Sequence, residues 1–442
     1  MDAFQYFEIL YENWFIYLIS VVITFIVYFI IYRKYYLSLL DPFTYACFFS
    51  AMSVTVPLFL YFMGQMTTYL FISFLSTQVA FFLGFRIIKP ITILKVRKIG
   101  NTEIKPTDIR FAKWLFIIIG ISNIGMQLFS YKLVGIPLFA ESRLGIYGES
   151  GGINNLLKRL LDVTSQCHIF LTIYFLYKGK KSKAFKVYTY FSVSFILIFS
   201  ILSGSKGAFM TFGLAYFIYA LYSMRWGDYN VFFKIKKFLY KFIFIAVAIA
   251  TIVILASEGS ENPFLFILLR IGQSGDVYFM AYPNDVIDKI PTMDWFIALF
   301  ASPLSLLKII PREMVPEPMG YFLMQYHNPS IEFRGPNPRM NVFSYVYFGI
   351  VYSPIYCFLI GVLTSFFRNR LFYLLPSNIL GCIVYFLLLN SALKLEPDFH
   401  YALADFINII TILPFFVLIS YYFSIKKTNE GKLTVVNNCS NI

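Results

Sequence analysis

Charge is what this sequence has least of. Asp, Glu, Lys and Arg make up 14% of its 442 residues, where a soluble domain carries about a quarter. So few ionised groups cannot clothe the water-facing surface of a chain this long. There are three histidines and no carboxylate–histidine cluster at ligand spacing, which argues against a transition-metal site. Five cysteines (Cys47, Cys167, Cys357, Cys382, Cys439) lie mostly inside apolar stretches without CxxC or paired spacing, so no disulfide or metal framework is expected. No repeat at a fixed period is present. A cleavable leader is not expected either, because MDAFQYFEILYEN is acidic and the apolar run after it is long enough to span.

What is present is apolar. Hydrophobic residues make up 59% and aromatics 20%, and the mean hydropathy is +0.69. Many apolar runs reach the roughly 20 residues that cross a bilayer core. Backbone groups in lipid must pair within their own segment, and strand-length alternation is missing, so these runs predict helices. The reading is an all-α polytopic membrane protein, one integral membrane domain over 1–442. About eleven transmembrane helices are expected, near 13–32, 41–63, 67–88, 114–134, 158–177, 187–203, 206–224, 241–257, 341–363, 371–393 and 403–423.

Lys and Arg set the orientation. The stretches 33–40, 86–113, 178–186, 225–241, 368–370 and 424–442 hold 25 of the 37 basic residues; with Asp41 at their boundary they hold five acidic ones. The rest of the chain has 12 basic and 18 acidic residues. Basic and acidic stretches alternate, which puts the N-terminus outside and the C-terminus in the cytoplasm, with an odd number of crossings. The net charge of +14 is thereby explained without nucleic acid. Two segments then lie outside: 135–157, rich in Gly, Ser and Asn, and 258–340, too long for a plain connector. Within the second, 263–282 and 294–310 are moderately apolar and read as interfacial or re-entrant helices. If both cross, the count is thirteen and the parity is unchanged.

Four places put charge or special backbone near the outer face. In Glu141-Ser142-Arg143, followed by Gly145, Gly148, Gly151 and Gly152, a planar guanidinium and exposed backbone N–H groups suit phosphate oxygens; a flexible solvated loop is the plainer alternative. Ser203-Gly204-Ser205-Lys206-Gly207 joins two spans, so Lys206 either lines a polar cavity or snorkels to headgroups. Arg270 and Asp276 stand six residues apart in one moderately apolar stretch, where they can share a cavity or form a structural pair. The fourth holds His327, Glu332, Arg334 and the turn Gly335-Pro336-Asn337-Pro338-Arg339-Met340-Asn341. Its arginines, stiffened by Gly and Pro, suit a diphosphate or a plain interface turn. Lys394-Leu395-Glu396-Pro397-Asp398-Phe399-His400 is a weaker signal in an outer turn. His168, inside a span, reads as a core histidine.

The layout resembles the Wzy-type O-antigen polymerases, the oligosaccharide repeat-unit polymerases of bacterial surface polysaccharides. The resemblance covers nearly the whole chain and rests on aromatic-rich spans, an early outer loop around Arg143 and a long late one. Local phrases add to it: LSGSKGAF at 202–209, RIGQSGDVYF at 270–279 and GPNPRMNVFSYVYFG at 335–349. Arg143 precedes Gly152 and Arg339 precedes Gly349, approximating the arginine-to-glycine spacing of some members.

The resemblance implies a bacterial inner-membrane enzyme of the metal-independent glycosyltransferase class, with no cofactor. It would transfer a growing glycan from undecaprenyl diphosphate to the sugar of another lipid-linked oligosaccharide, beside a flippase and a chain-length regulator of the same pathway. Such chemistry needs cations for the departing diphosphate and a base for the acceptor hydroxyl. Arg143, Arg270, Arg334 and Arg339, with Lys206 in reserve, are the candidates for the first task. Asp276, then Glu332 or His327, are those for the second. Two rivals stay open: an O-antigen ligase, which differs only in its acceptor, and a flippase or transporter of lipid-linked sugars.

Overall fold

The computed structural model describes residues 1–99, 105–139, 153–178, 182–204, 210–235, 273–330 and 335–439, with Leu239, Phe244 and Ala248 besides. In chain order its first helices are α1 (Ala3–Glu12), α2 (Trp14–Tyr32), α3 (Pro42–Phe62), α4 (Thr68–Arg86) and α5 (Ile93–Ile99). There follow α6 (Pro106–Val134), α7 (Ile153–Tyr177), α8 (Lys183–Leu202), α9 (Met210–Arg225) and α10 (Tyr229–Phe233). The late helices are α11 (Asp276–Ala281), α12 (Trp295–Leu306), α13 (Met319–His327), α14 (Met340–Ser365), α15 (Leu371–Leu374), α16 (Ile379–Ala392) and α17 (Phe399–Cys439). No strand occurs among the described residues.

Seven helices among the described residues are long and apolar enough to cross a membrane: α2, α3, α4, α6, α8, α14 with its continuation to Leu374, and α17 as far as Ile425. The surface of α2 shows why lipid is required. Leu18, Ile19, Val22, Ile23, Ile26, Val27, Phe29 and Ile30 all lie exposed, an apolar stripe that water would not tolerate on a soluble protein. The chain is an all-helical, multi-pass membrane protein. Helix starts follow local chemistry. Asp41 accepts the Phe43 N–H at 3.1 Å ahead of Pro42, Thr67 caps α4, and Ser182 caps α8.

Other expected crossings take different forms. Helix α7 is 25 residues long, but Asp162, Gln166 and His168 make it less apolar than the seven. The run 206–224 is described from Met210 onward, and 241–257 lies outside the described residues apart from Phe244 and Ala248. The turn expected at 368–370 is helical instead, a π segment over Phe366–Arg370. There Arg368 is buried against the Asp41 carboxylate rather than placed in a basic loop. The chain turns at 375–378, where Pro376 disfavours helix in the residue before it and the Asn378 side chain accepts the Gly381 N–H at 2.8 Å.

The chain forms two compact units. One comprises Met1–Ile91, Ser260–Leu374 and Leu388–Ala404; the other comprises Thr92–Gly259, Leu375–Leu387 and Asp405–Ile442. In the second unit α9 is the core, buried almost continuously from Ala215 to Arg225. Its end is tied down by Trp226 Nε1 on the Ser377 carbonyl at 2.6 Å and Arg225 on the Leu375 carbonyl at 3.0 Å. His168 is fully buried there. Its Nδ1 faces Asn123 Nδ2 at 3.2 Å, and the Asn123 Oδ1 accepts from Ser165 at 2.8 Å.

In the first unit α14 is not a straight span. Gly349 has φ 64° and ψ 178° inside it, a conformation open essentially to glycine alone. The chain reverses there. Ser344 Oγ lies 3.4 Å from Cys357 Sγ, and that thiol reaches the Met340 carbonyl at 3.8 Å; one continuous helix would hold these pairs about 20 and 26 Å apart. Phe348 stacks on Tyr356 at 5.1 Å to close the hairpin. The returning limb packs tightly on α4, where a Cβ on Gly361 would sit 2.3 Å from the Phe81 carbonyl oxygen and one on Gly84 2.1 Å from that of Phe358. Small residues that let backbones touch are the usual means of close helix packing in lipid.

Candidate functional site

The hairpin places the N-terminal end of α14 within the helices of the first unit. Asn341 Nδ2 donates to Thr77 Oγ1 at 2.9 Å and to Gln78 Oε1 at 3.4 Å. Thr77 is the middle residue of the 19-residue α4. Gln78 donates in turn to Tyr28 Oη at 3.2 Å, and Tyr28 pairs with Ser50 at 2.7 Å. Polar side chains at such positions would be costly in lipid alone, and here each finds a partner.

One residue earlier stands Arg339. Its guanidinium donates to Glu396 Oε1 at 2.7 Å and to the Ser274 carbonyl at 3.2 Å, and only 8% of the residue is exposed. Its backbone has φ 45°, a strained value for a side chain of this size. The strain is held by neighbouring backbone bonds, since Arg339 N–H donates to the Pro397 carbonyl at 3.0 Å and Met340 N–H to that of Glu396 at 2.9 Å. Two turns that the sequence separates, 335–341 and 394–400, are thus clamped together by an ion pair and two backbone bonds.

The third party is the segment 273–281. The Ser274 carbonyl accepts from Arg339 and also from the Ser53 hydroxyl. Tyr278 Oη donates to Asn341 Oδ1 at 2.7 Å. Phe279 stacks on Tyr6 of α1 at 4.3 Å. Gly275 is obligatory on steric grounds, because a Cβ there would meet the Ser53 carbonyl oxygen at 2.8 Å and Val56 Cγ2 at 2.6 Å.

The residues proposed from sequence divide sharply. Arg143, Lys206, Arg270, Glu332 and Arg334 lie outside the described residues. The other three come together on 273–281. Asp276 opens α11, half-buried, with its Oδ1 accepting the Val277 N–H at 3.0 Å. His327 ends α13 and meets the Met280 carbonyl through Nε2 at 2.8 Å, one helical turn beyond Asp276. Because a carbonyl only accepts, the shorter contact puts the proton on Nε2, with the Met1 ammonium 3.5 Å from the same nitrogen. Burial lowers the His327 pKa below its ordinary 6.5, so the ring is neutral at pH 7 and chemically able to take a proton. Arg339 reaches the same segment at Ser274, with its charge engaged by Glu396.

No family model matches the chain, and no curated protein or solved structure matches it. Tyr278 and Gln78 were not singled out from sequence, and Glu396 and Asn341 were named only as members of the turns 394–400 and 335–341. Polar residues at 77, 78 and 341 inside apolar runs were the available signal. Among the described residues, no three His, Cys, Asp or Glu side chains come together to hold a metal ion. What the arrangement offers is a buried cation fixed by a carboxylate, beside a second carboxylate and a neutral imidazole on one short segment.

Proposed function

We propose that the chain polymerises lipid-linked oligosaccharide repeat units into O-antigen or a related surface polysaccharide. In this reading it crosses a bacterial inner membrane eleven times, N-terminus periplasmic and C-terminus cytoplasmic, with 258–340 on the periplasmic side. One observation carries the reading. The phrases RIGQSGDVYF and GPNPRMNVFSYVYFG, which bear the resemblance to the Wzy-type polymerases, meet at one buried node through Arg339–Ser274 and Tyr278–Asn341. Random loops of a membrane scaffold have no reason to converge this way.

The roles are those the chemistry requires. Undecaprenyl diphosphate departs as an anion, which preorganised cations stabilise; Arg143, Arg270, Arg334 and Lys206 are assigned to it. Arg339 positions the segment 273–281, because its guanidinium is already engaged by Glu396 and the Ser274 carbonyl. Asp276 or His327 takes the acceptor proton. A flippase supplies the lipid-linked substrate, and a chain-length regulator is the expected partner.

A second reading has an observation in its favour. A helix broken in the interior of a unit, as at Gly349, is also how transporters build substrate sites. Purified full-length protein in liposomes with radiolabelled lipid-linked repeat units separates the two. Chain extension supports the polymerase, whereas translocation without extension supports the transporter. Deletion of the gene distinguishes the ligase: loss of polymerisation leaves one repeat unit on the lipopolysaccharide core, and loss of ligation leaves none.

A further inference from the structure

Within the second unit, at the ends of two candidate spans, a cavity of about 400 Å³ opens between the first turn of α6, the start of α16 and the face of α17. We infer that it holds an anionic glycerophospholipid, headgroup at its mouth and the upper part of one acyl chain along α17.

The division of polarity along the cavity motivates this occupant. The polar lining is Ser424 and Tyr421 on α17, Arg110, Asp108 and Thr107 on α6, and Asn378 before α16. These two spans end at Ile425 and begin at Thr107, so the polar rim sits where headgroups do. Deeper along the same face, Val417 is seven residues from Ser424, about 10 Å toward the membrane interior. Phe111, Ile379, Leu380 and Ile425 are the other apolar lining residues. Polar groups at the ends of two spans, with apolar lining beside them and Val417 about 10 Å deeper on α17, match an amphiphile, not a soluble metabolite.

Charge selects an anion. Arg110 lines the cavity with a planar guanidinium, the group that suits a phosphodiester. The sequence places Lys105, Lys113, Lys426 and Lys427 within five residues of the lining ones, against Glu103, Asp108 and Glu430. The inference does not depend on the glycosyl-transfer reading, because it uses only the second unit and its membrane-surface end.

The test uses full-length protein in detergent, with dioleoylphosphatidylglycerol and dioleoylphosphatidylcholine as probes and native mass spectrometry as readout. Wild type is expected to retain the anionic lipid selectively. Arg110→Ala should weaken that retention roughly tenfold, the loss of one charge-assisted contact. Asp108→Asn should strengthen it, a gain that misfolding cannot imitate. Equal retention of the two lipids, or an Asp108→Asn variant that binds no better than wild type, would overturn the inference. Preferential retention of undecaprenyl phosphate over the glycerophospholipid would overturn it too.

Discussion

Arg339 and Glu396 stand 57 residues apart in the chain and 2.7 Å apart in space. Both are buried, at 8% exposure each. Such a pair is poor evidence for net stabilisation, because desolvating two charges roughly cancels their attraction. Its value is in geometry: it fixes the turn before α14 against the turn before α17, and holds both to the Ser274 carbonyl. The predictions below follow from that arrangement.

Removing one partner strands the other. Arg339→Ala or Glu396→Ala is expected to destabilise the protein by about 3–5 kcal/mol, while the double replacement Arg339→Met/Glu396→Leu costs far less. Thermal unfolding of the purified protein measures this. Both single variants and the double variant should lose long polysaccharide on a lipopolysaccharide gel, and full-length ladders from the double variant would remove Arg339 from the mechanism. Arg339→Lys should rescue poorly, since one ammonium cannot reach Glu396 and Ser274 with the same planar fork.

The fold-back of α14 has a direct covalent test. With the other cysteines replaced, Ser344→Cys should cross-link to Cys357 under mild oxidation, because the two side-chain atoms lie 3.4 Å apart. Peptide mass spectrometry reads the disulfide. Failure to cross-link in folded protein would argue for a straight helix.

Gly349→Ala should cost about 1–3 kcal/mol from backbone strain alone, whatever space surrounds it, since φ is +64°. Gly361→Ala should be at least as damaging for a different reason, the 2.3 Å approach to the Phe81 carbonyl. Melting temperatures of the two variants, with and without the cross-link described above, tell these causes apart.

The acid limb of activity reports on His327. Its pKa is depressed by burial, so as base it stays competent below the ordinary 6.5, and the rate should fall only in a more acidic window. The stability linkage has the matching sign. Below pH 6.5 the unfolded chain binds a proton that the folded ring resists, so stability declines as pH drops toward the folded value. His327→Gln should abolish that acid-induced loss. A rate that already falls between pH 7.5 and 6.5 would point away from His327.

Reporter fusions test the orientation. Fusions within 273–330 should be active only as periplasmic reporters, and those after Ile425 only as cytoplasmic ones. Cytoplasmic reporters within 273–330 would place the node in the wrong compartment for lipid-linked donors.

Sequence alone settled the class of molecule. Apolar runs of bilayer length can be satisfied only as helices in lipid, and that constraint is local, so composition and run length suffice. Three of its candidates, Arg339, Asp276 and His327, meet the one segment 273–281. The tertiary structure decided which groups meet. That Arg339 pairs with Glu396, that α14 doubles back at Gly349, and that Arg368 is buried against Asp41 depend on contacts between residues far apart in the chain. Hydropathy averages over a window and cannot see one glycine reversing a helix, nor can charge counting tell a buried arginine from a cytoplasmic one.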